Sequence, residues 1–115
     1  MDYSRLCEEM CQVRDVIAAF VVDKGILVNV AARQGEQAPD KERMFKIMLQ
    51  IHVLASIPQT NEDFAGKMEY VVVKHSKLRL TIVNIDKDRE IGVVSTDKSE
   101  TDAIVERVRA LIKKA

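Results

Sequence analysis

The 115-residue chain holds few side chains whose type and spacing could do chemistry. Cys7 and Cys11 lie four apart, which puts two thiols on about one face of a helix. Two thiolates are half of a zinc site, and His52 and His75 are the only further soft ligands. The expected role of the cysteines is packing, as two small apolar side chains under a helix. A disulfide is disfavoured in a reducing cytoplasm. Asp23-Lys24-Gly25 gathers a carboxylate, an amine and a glycine between two apolar runs. A phosphate-cradling loop needs several glycines and a following helix. With one glycine and an extended apolar run after it, this triplet reads as a turn, in which Gly25 takes a positive φ and Asp23 bonds the turn backbone. Gly66-Lys67 lacks the upstream glycine and the following Ser or Thr of a phosphate loop. Asp86, Asp88 and Glu90 alternate as calcium ligands do, but no glycine and no twelfth-position glutamate follow at the required spacing, so they read as a solvated hairpin turn. Ser4, Ser56, Ser76, Ser95 and Ser99 have no context resembling a nucleophile elbow. His52 sits among apolar neighbours as an interface or core histidine, and His75 ends a strand in solvent. The expectation is a protein with no catalytic, cofactor-binding or metal-binding residues.

The elements that position these groups are legible from periodicity. Tyr3, Leu6, Cys7, Met10 and Val13 follow the helical i, i+3, i+4, i+7 pattern, predicting a first helix over about 3–13. Val16, Ala18, Phe20 and Val22 alternate with Ile17, Ala19 and Val21, so both faces of this run are apolar and it reads as an interior strand. The stretch 26–32 repeats the character, with Ile26, Val28 and Val30 on one face, and the two runs make a hairpin. The polar segment 33–42 is a loop, with Asp40 as a helix cap. The helix that follows is expected to end before Pro58. Met44, Ile47, Met48, Ile51, Leu54 and Ala55 form one apolar stripe on it, and Phe45, Leu49, His52 and Val53 form a second on roughly the opposite side. A helix apolar on two faces is buried on two sides. In a chain this small the second face needs a partner; either the first or last helix covers it, or a second subunit does, and the second subunit is preferred. The segment 58–66 reads as a loop. Strands over 68–75, 78–85 and 90–96 follow, joined by short turns that make them antiparallel neighbours. Ser99 and Asp102 resemble a capping box before a last helix with the stripe Ile104, Val105, Val108, Leu111 and Ile112. The resulting fold is α+β, with a five-stranded antiparallel sheet, helices on both of its faces, and the order α-β-β-α-β-β-β-α.

Composition bounds the function classes. The length predicts one domain over 1–115. Apolar residues make up 47% and charged residues 31%, a folding composition rather than a disordered one. Eighteen basic and eighteen acidic residues give zero formal net charge, without the basic excess of nucleic-acid binders. No apolar run approaches the roughly 18 residues that span a bilayer. The opening MDYSRLCEEMCQ carries acids where a secretory signal is basic, so a cytoplasmic location without membrane insertion is expected.

The element order and local sequence resemble the roadblock family, which includes a class of dynein light chains. AAFVVDKGILVNVA is similar to the family's first hairpin, the double-faced helix from Asp40 to Ile57 to its central helix, and YVVVKHSKLRLTIVNIDKDREIGVVSTDKSETDAIVERVRALI to its three-strand meander and closing helix. The family turn is often one residue longer, with a second acidic residue before the glycine. Longin and profilin-like domains share much of the architecture. The resemblance implies a non-enzymatic adaptor that pairs as a homodimer, or as a heterodimer with a paralogue. In such pairs the central helices pack side by side and the following strand joins its counterpart in one sheet. It further implies a regulator or scaffold of a small Ras-like GTPase, or a link between cargo and motor. The matching interface positions are Phe45, Leu49, His52 and Val53 on the helix, and Met68, Tyr70 and Val72 on the strand. The alternative is a small-molecule-binding or sensory α+β module with a pocket between sheet and helices.

Overall fold

In the computed structural model, which describes residues 1–114, Val16–Asp23 forms strand β1, flanked by β2 (Ile26–Ala32) and β5 (Arg89–Thr96). β4 (Leu78–Asn84) and β3 (Tyr70–Lys74) complete a five-stranded sheet of order β2-β1-β5-β4-β3, and every neighbouring pair is antiparallel. Helices α1 (Tyr3–Met10) and α4 (Thr101–Lys114) cover one face, while α2 (Lys41–Gln59) covers the other. The expected α+β architecture with helices on both faces is therefore the observed one. A single-turn helix, α3 (Glu62–Ala65), adds one element to the expected order, within the segment read as a loop.

The two faces hold two separate cores. Leu6, Cys7 and Met10 of α1 and Ile104, Val105, Val108 and Leu111 of α4 pack on Ala19, Val21, Val83, Ile91 and Val93. Ile51 and Ala55 of α2 pack on Ala18, Phe20, Val22, Leu80 and Ile82. β1 is buried on both sides, as its doubly apolar run requires. Two irregularities break the simple alternation. The pairing of β1 with β5 shifts at Ile17, so Val16 joins the α1/α4 core and Ile17 the α2 core, instead of Val16 sharing a face with Ala18. The pairing of β1 with β2 shifts at Val28, so Ile26, Val28 and Val30 do not share a face: Val30 packs inward while Ile26 and Val28 stay exposed. An extra residue on one strand of a pair has this consequence, because it reverses the side on which the following residues point.

The helix ends also depart from expectation. The first helix stops at Met10, where the Gln12 and Val13 amides bond three residues back, to Glu9 and Met10, in a tighter turn. α2 runs through Pro58 to Gln59, since a proline in the last turn forfeits one backbone bond and blocks nothing downstream. Ser99 does not cap α4: its hydroxyl bonds the Thr96 carbonyl and the Ser95 hydroxyl, and the helix opens with the Ile104 amide bonding the Glu100 carbonyl.

α2 approaches the sheet over Gly92. A Cβ at that position would lie 2.9 Å from Cγ1 of Ile51, closer still to its Cδ1, and 3.3 Å from Cδ1 of Leu80. Ile51 is fully buried and has little room to move. Gly92→Ala is expected to destabilise the fold by about 1–3 kcal/mol through overpacking. Urea denaturation should show a lower midpoint at unchanged slope, with partial recovery on adding Ile51→Val.

Candidate functional site

The second apolar stripe of α2 is the surface feature that the fold leaves unexplained. Asp40 caps the helix, its carboxylate accepting the Arg43 amide at 2.8 Å, and Glu42 pairs with Lys46 one turn on. Packed inward are Ile51 and Ala55, with Ile47, Met48 and Leu54 beside them. This is the expected inner stripe, with Met44 half-buried at its start. Facing outward, Phe45 is 57%, Leu49 44%, Val53 47% and Ile57 60% exposed. These residues recur every four positions, so they line one side of the helix. α1 and α4 lie on the far face of the sheet and do not cover them. Sequence reasoning missed Ile57, although the four-residue spacing from Phe45 would have found it. Phe64 on α3, 81% exposed, was also missed, for want of any periodicity in a single turn.

The expected strand positions divide. β3 is an edge strand whose Val71 and Val73 face the α2 core, while Tyr70 and Val72 lie exposed on the opposite face of the sheet. Tyr70 and Val72 therefore flank the free edge of β3 from the side away from Phe45, Leu49 and Val53. Met68 precedes the strand instead of starting it. Its amide donates to Glu62 Oε2 at 2.7 Å, its carbonyl accepts from the Asn84 amide, and its side chain packs in the α2 core. The structure thus brings Phe45, Leu49, His52 and Val53 together on one helix, and draws Met68 inward.

His52 is seated over the β1–β2 turn. That turn has two central residues of positive φ, Lys24 at 52° and Gly25 at 80°, as in the two-residue hairpins whose twist matches their strands. A Cβ on Gly25 would lie 3.5 Å from His52 Nε2, an ordinary contact, so the positive φ and not space is what calls for glycine beneath the imidazole. The reading of Asp23-Lys24-Gly25 as a turn holds, but the Asp23 carboxylate accepts from the Tyr3 hydroxyl at 3.4 Å instead of bonding the turn backbone, and Lys24 ties the turn to its neighbour through its amide, which donates to the Asp88 carbonyl at 2.8 Å.

Glu90 corrects the reading of the acidic triplet. Asp86 does organise the β4–β5 turn, accepting the Asp88 and Arg89 amides and the Arg89 guanidinium. The Arg89 hydrogen bond holds the Asp86 carboxyl below its ordinary range. Glu90, however, is a strand residue only 2% exposed, on the α2 face beneath His52. Its Oε1 lies 4.0 Å from His52 Nδ1, and neither Glu90 Oε2 nor His52 Nδ1 has a hydrogen-bond partner. Burial pushes the Glu90 carboxyl up to about 7, with Asp86, Asp88 and Asp23 adding to the effect. The alternation Asp-x-Asp-x-Glu gave no hint that its last member turns inward.

The remaining candidate groups do structural work. Cys7 and Cys11 are buried and free, and burial pushes the Cys7 thiol up to about 12, far from the reactive thiolate. His75 is exposed beyond the end of β3, as expected. Among the described residues no group of three or more His, Cys, Asp or Glu could hold a metal ion, and no helix is long and apolar enough to cross a membrane. A hollow of about 250 Å³ is lined by Met1, Asp2, Arg5, Leu6, Glu9 and Arg107, in the groove between α1 and α4 rather than between sheet and helices.

Comparison with known proteins locates this geometry. No protein-family model and no curated protein matches the chain. Solved structures do match. A Roadblock/LC7 domain from Streptomyces avermitilis superposes with a TM-score of 0.81 at 14% identity, over 99% of this chain and 94% of that one. The gliding protein MglB from Thermus thermophilus gives 0.72 at 12%, over 96% and 88%. A structure described as MglB with tetrameric arrangement gives 0.76 at 12%, over 96% and 84%. The chain has the roadblock/LC7 fold.

Proposed function

We propose that this protein is a roadblock-family adaptor without catalytic activity of its own, which works as a homodimer, or as a heterodimer with a paralogue, through the outer face of α2 and the free edge of β3. The observation that carries the reading is the exposed row Phe45, Leu49, Val53 and Ile57 on a helix whose other side packs on the sheet through Ile51 and Ala55. Contiguous apolar surface of this kind marks an interaction site. Around a two-fold axis the same patch serves both copies, so one helix face is sufficient for a self-complementary contact. β3 offers a second element, since an edge strand presents unpaired backbone groups that a counterpart strand can satisfy. The match to an MglB described as tetrameric supports assembly as a property of the fold.

The partner of the dimer is a small Ras-like GTPase, which the protein regulates or scaffolds in the cytoplasm. The warrant is analogy with the family. Incubation of the immobilised protein with a panel of Ras-like GTPases, each loaded with GTP or GDP, should retain at least one in a nucleotide-dependent way. Equal or absent retention of all of them removes the proposed partner. The protein alone should give no heat of binding with GTP, and a saturable micromolar isotherm would contradict the adaptor reading.

A further inference from the structure

Beneath the outer face of α2, two ionisable groups face each other and neither is satisfied. Glu90 is paired in the sheet with Val22 of β1 and Asn84 of β4, in the layer covered by α2. Its Oε1 and His52 Nδ1 stand 4.0 Å apart, beyond hydrogen-bond reach. The other carboxylate oxygen, the imidazole Nδ1 and the Asn84 Oδ1 are buried without partners. The opposite edge of the imidazole lies against Gly25, and 45% of the side chain remains open to solvent, on the helix that carries Phe45, Leu49 and Val53.

The charged surroundings are one-sided. Asp23 of β1 and Asp86 and Asp88 of the β4–β5 turn all act on Glu90. Lys24 of the β1–β2 turn and Lys87 of the β4–β5 turn are exposed, and neither makes an ion pair with it among the described residues. Arg89 is held elsewhere, by Asp86 and by the hydroxyl and ring of Tyr3 on α1. On α2 itself, Lys46 is paired with Glu42, and the Ser56 hydroxyl donates to the His52 carbonyl. Among the described residues, His52 is the one basic side chain within 4.0 Å of Glu90. Burial and the three aspartates favour the uncharged form of the Glu90 carboxyl, and at 4.0 Å it makes no hydrogen bond to the imidazole.

We propose that the seam is proton-gated: His52, seated over the buried Glu90, weakens the assembly of two copies through the outer face of α2 as the pH falls. The inference rests on the dimer proposed above. In the separated copy the imidazole is half open, so water can solvate a charge placed on it. In the closed dimer it lies in an apolar seam above a neutral carboxyl, where an unpaired cation is excluded. Each copy thus gains one proton on dissociation, two per dimer. The dissociation constant can then rise by up to about 100-fold per pH unit over the range in which imidazoles titrate.

Sedimentation equilibrium between pH 7.5 and 5.5 tests this. The wild type should weaken at least tenfold, Glu90→Gln should weaken similarly, and His52→Gln should hold a constant affinity. A wild-type dimer whose affinity is flat across the range overturns the proton gate and leaves the dimer standing. A flat wild type with an acid-sensitive Glu90→Gln would identify an ion pair preserved in the seam, and likewise overturns it. A wild type that is monomeric at every pH overturns both. Should His52→Gln fail to fold, NMR titration of the His52 ring protons decides instead, with exposed His75 as the internal control. Its midpoint should fall at lower pH in the wild-type dimer than in a Leu49→Glu monomer, and equal midpoints refute the proposal.

Discussion

Leu49→Glu is expected to give a folded monomer. Leu49 lies in the middle of the exposed row, between Phe45 and Val53, and is 44% open in the single chain. Covering such a side chain contributes on the order of 1.5–3 kcal/mol when burial is complete. In a two-fold interface each substitution acts twice, so two apolar contacts are lost and two carboxylates enter an apolar seam. Burying unpaired charge there costs several kcal/mol. A total near 5 kcal/mol weakens association by more than about 1,000-fold, enough to carry a micromolar dimer into the millimolar range. The fold should survive, because Ile47, Met48, Ile51, Leu54 and Ala55 hold the helix to its own sheet on the other side. Circular dichroism should therefore be unchanged while the sedimenting mass halves. An unfolded variant would mean that this face is core after all.

Glu90→Gln is expected to stabilise the protein at alkaline pH. The folded carboxyl is raised from 4.5 to about 7, mainly by burial, so the native state holds a proton that the unfolded chain releases. Linkage then fixes the sign. The favourable contribution of the protonated form is complete below about pH 4.5, is lost as the pH rises through about 7, and is constant above that. The shift corresponds to up to about 3 kcal/mol at pH 8. Glutamine keeps the shape and cannot ionise. Urea denaturation of Glu90→Gln should match the parent near pH 4.5 and exceed it by that amount at pH 8, with the wild-type slope between them removed. Carrying out both series in the Leu49→Glu background keeps assembly out of the comparison. A variant less stable than its parent at pH 8 would show that the carboxylate is satisfied by a partner.

How much of this was legible beforehand follows from which interactions are local. The doubly apolar run from Val16 to Val22 announced an interior strand, because burial on two sides leaves no room for polar residues. The two stripes of α2 were readable for the same reason, since a helix repeats its faces every three to four residues. The turn at Lys24-Gly25 needed only the conformational freedom of glycine. What escaped depends on contacts between distant segments. The shifts at Ile17 and Val28 are set by how three strands match across the sheet, and each one moves an apolar residue from one face to the other without any local mark. Gly92 is small because Ile51 crosses above it, and nothing within the strand says so. Glu90 looked like the last acid of a turn, yet its strand carries it under α2, beside a histidine from a distant part of the chain. The candidate interface was half legible: the helix residues stood out by period, whereas the sides of β3 on which Met68, Tyr70 and Val72 fall depended on where the strand begins.

The claim on which the rest depends is that a second copy, or a close relative, covers the outer face of α2. The most direct test is the mass of the wild-type protein by sedimentation equilibrium over a dilution series at neutral pH. The account predicts twice the 13.0 kDa of the chain at tens of micromolar, falling toward one chain only on strong dilution. A mass of one chain throughout that series would contradict the homodimer and leave Phe45, Leu49, Val53 and Ile57 without the partner argued for them.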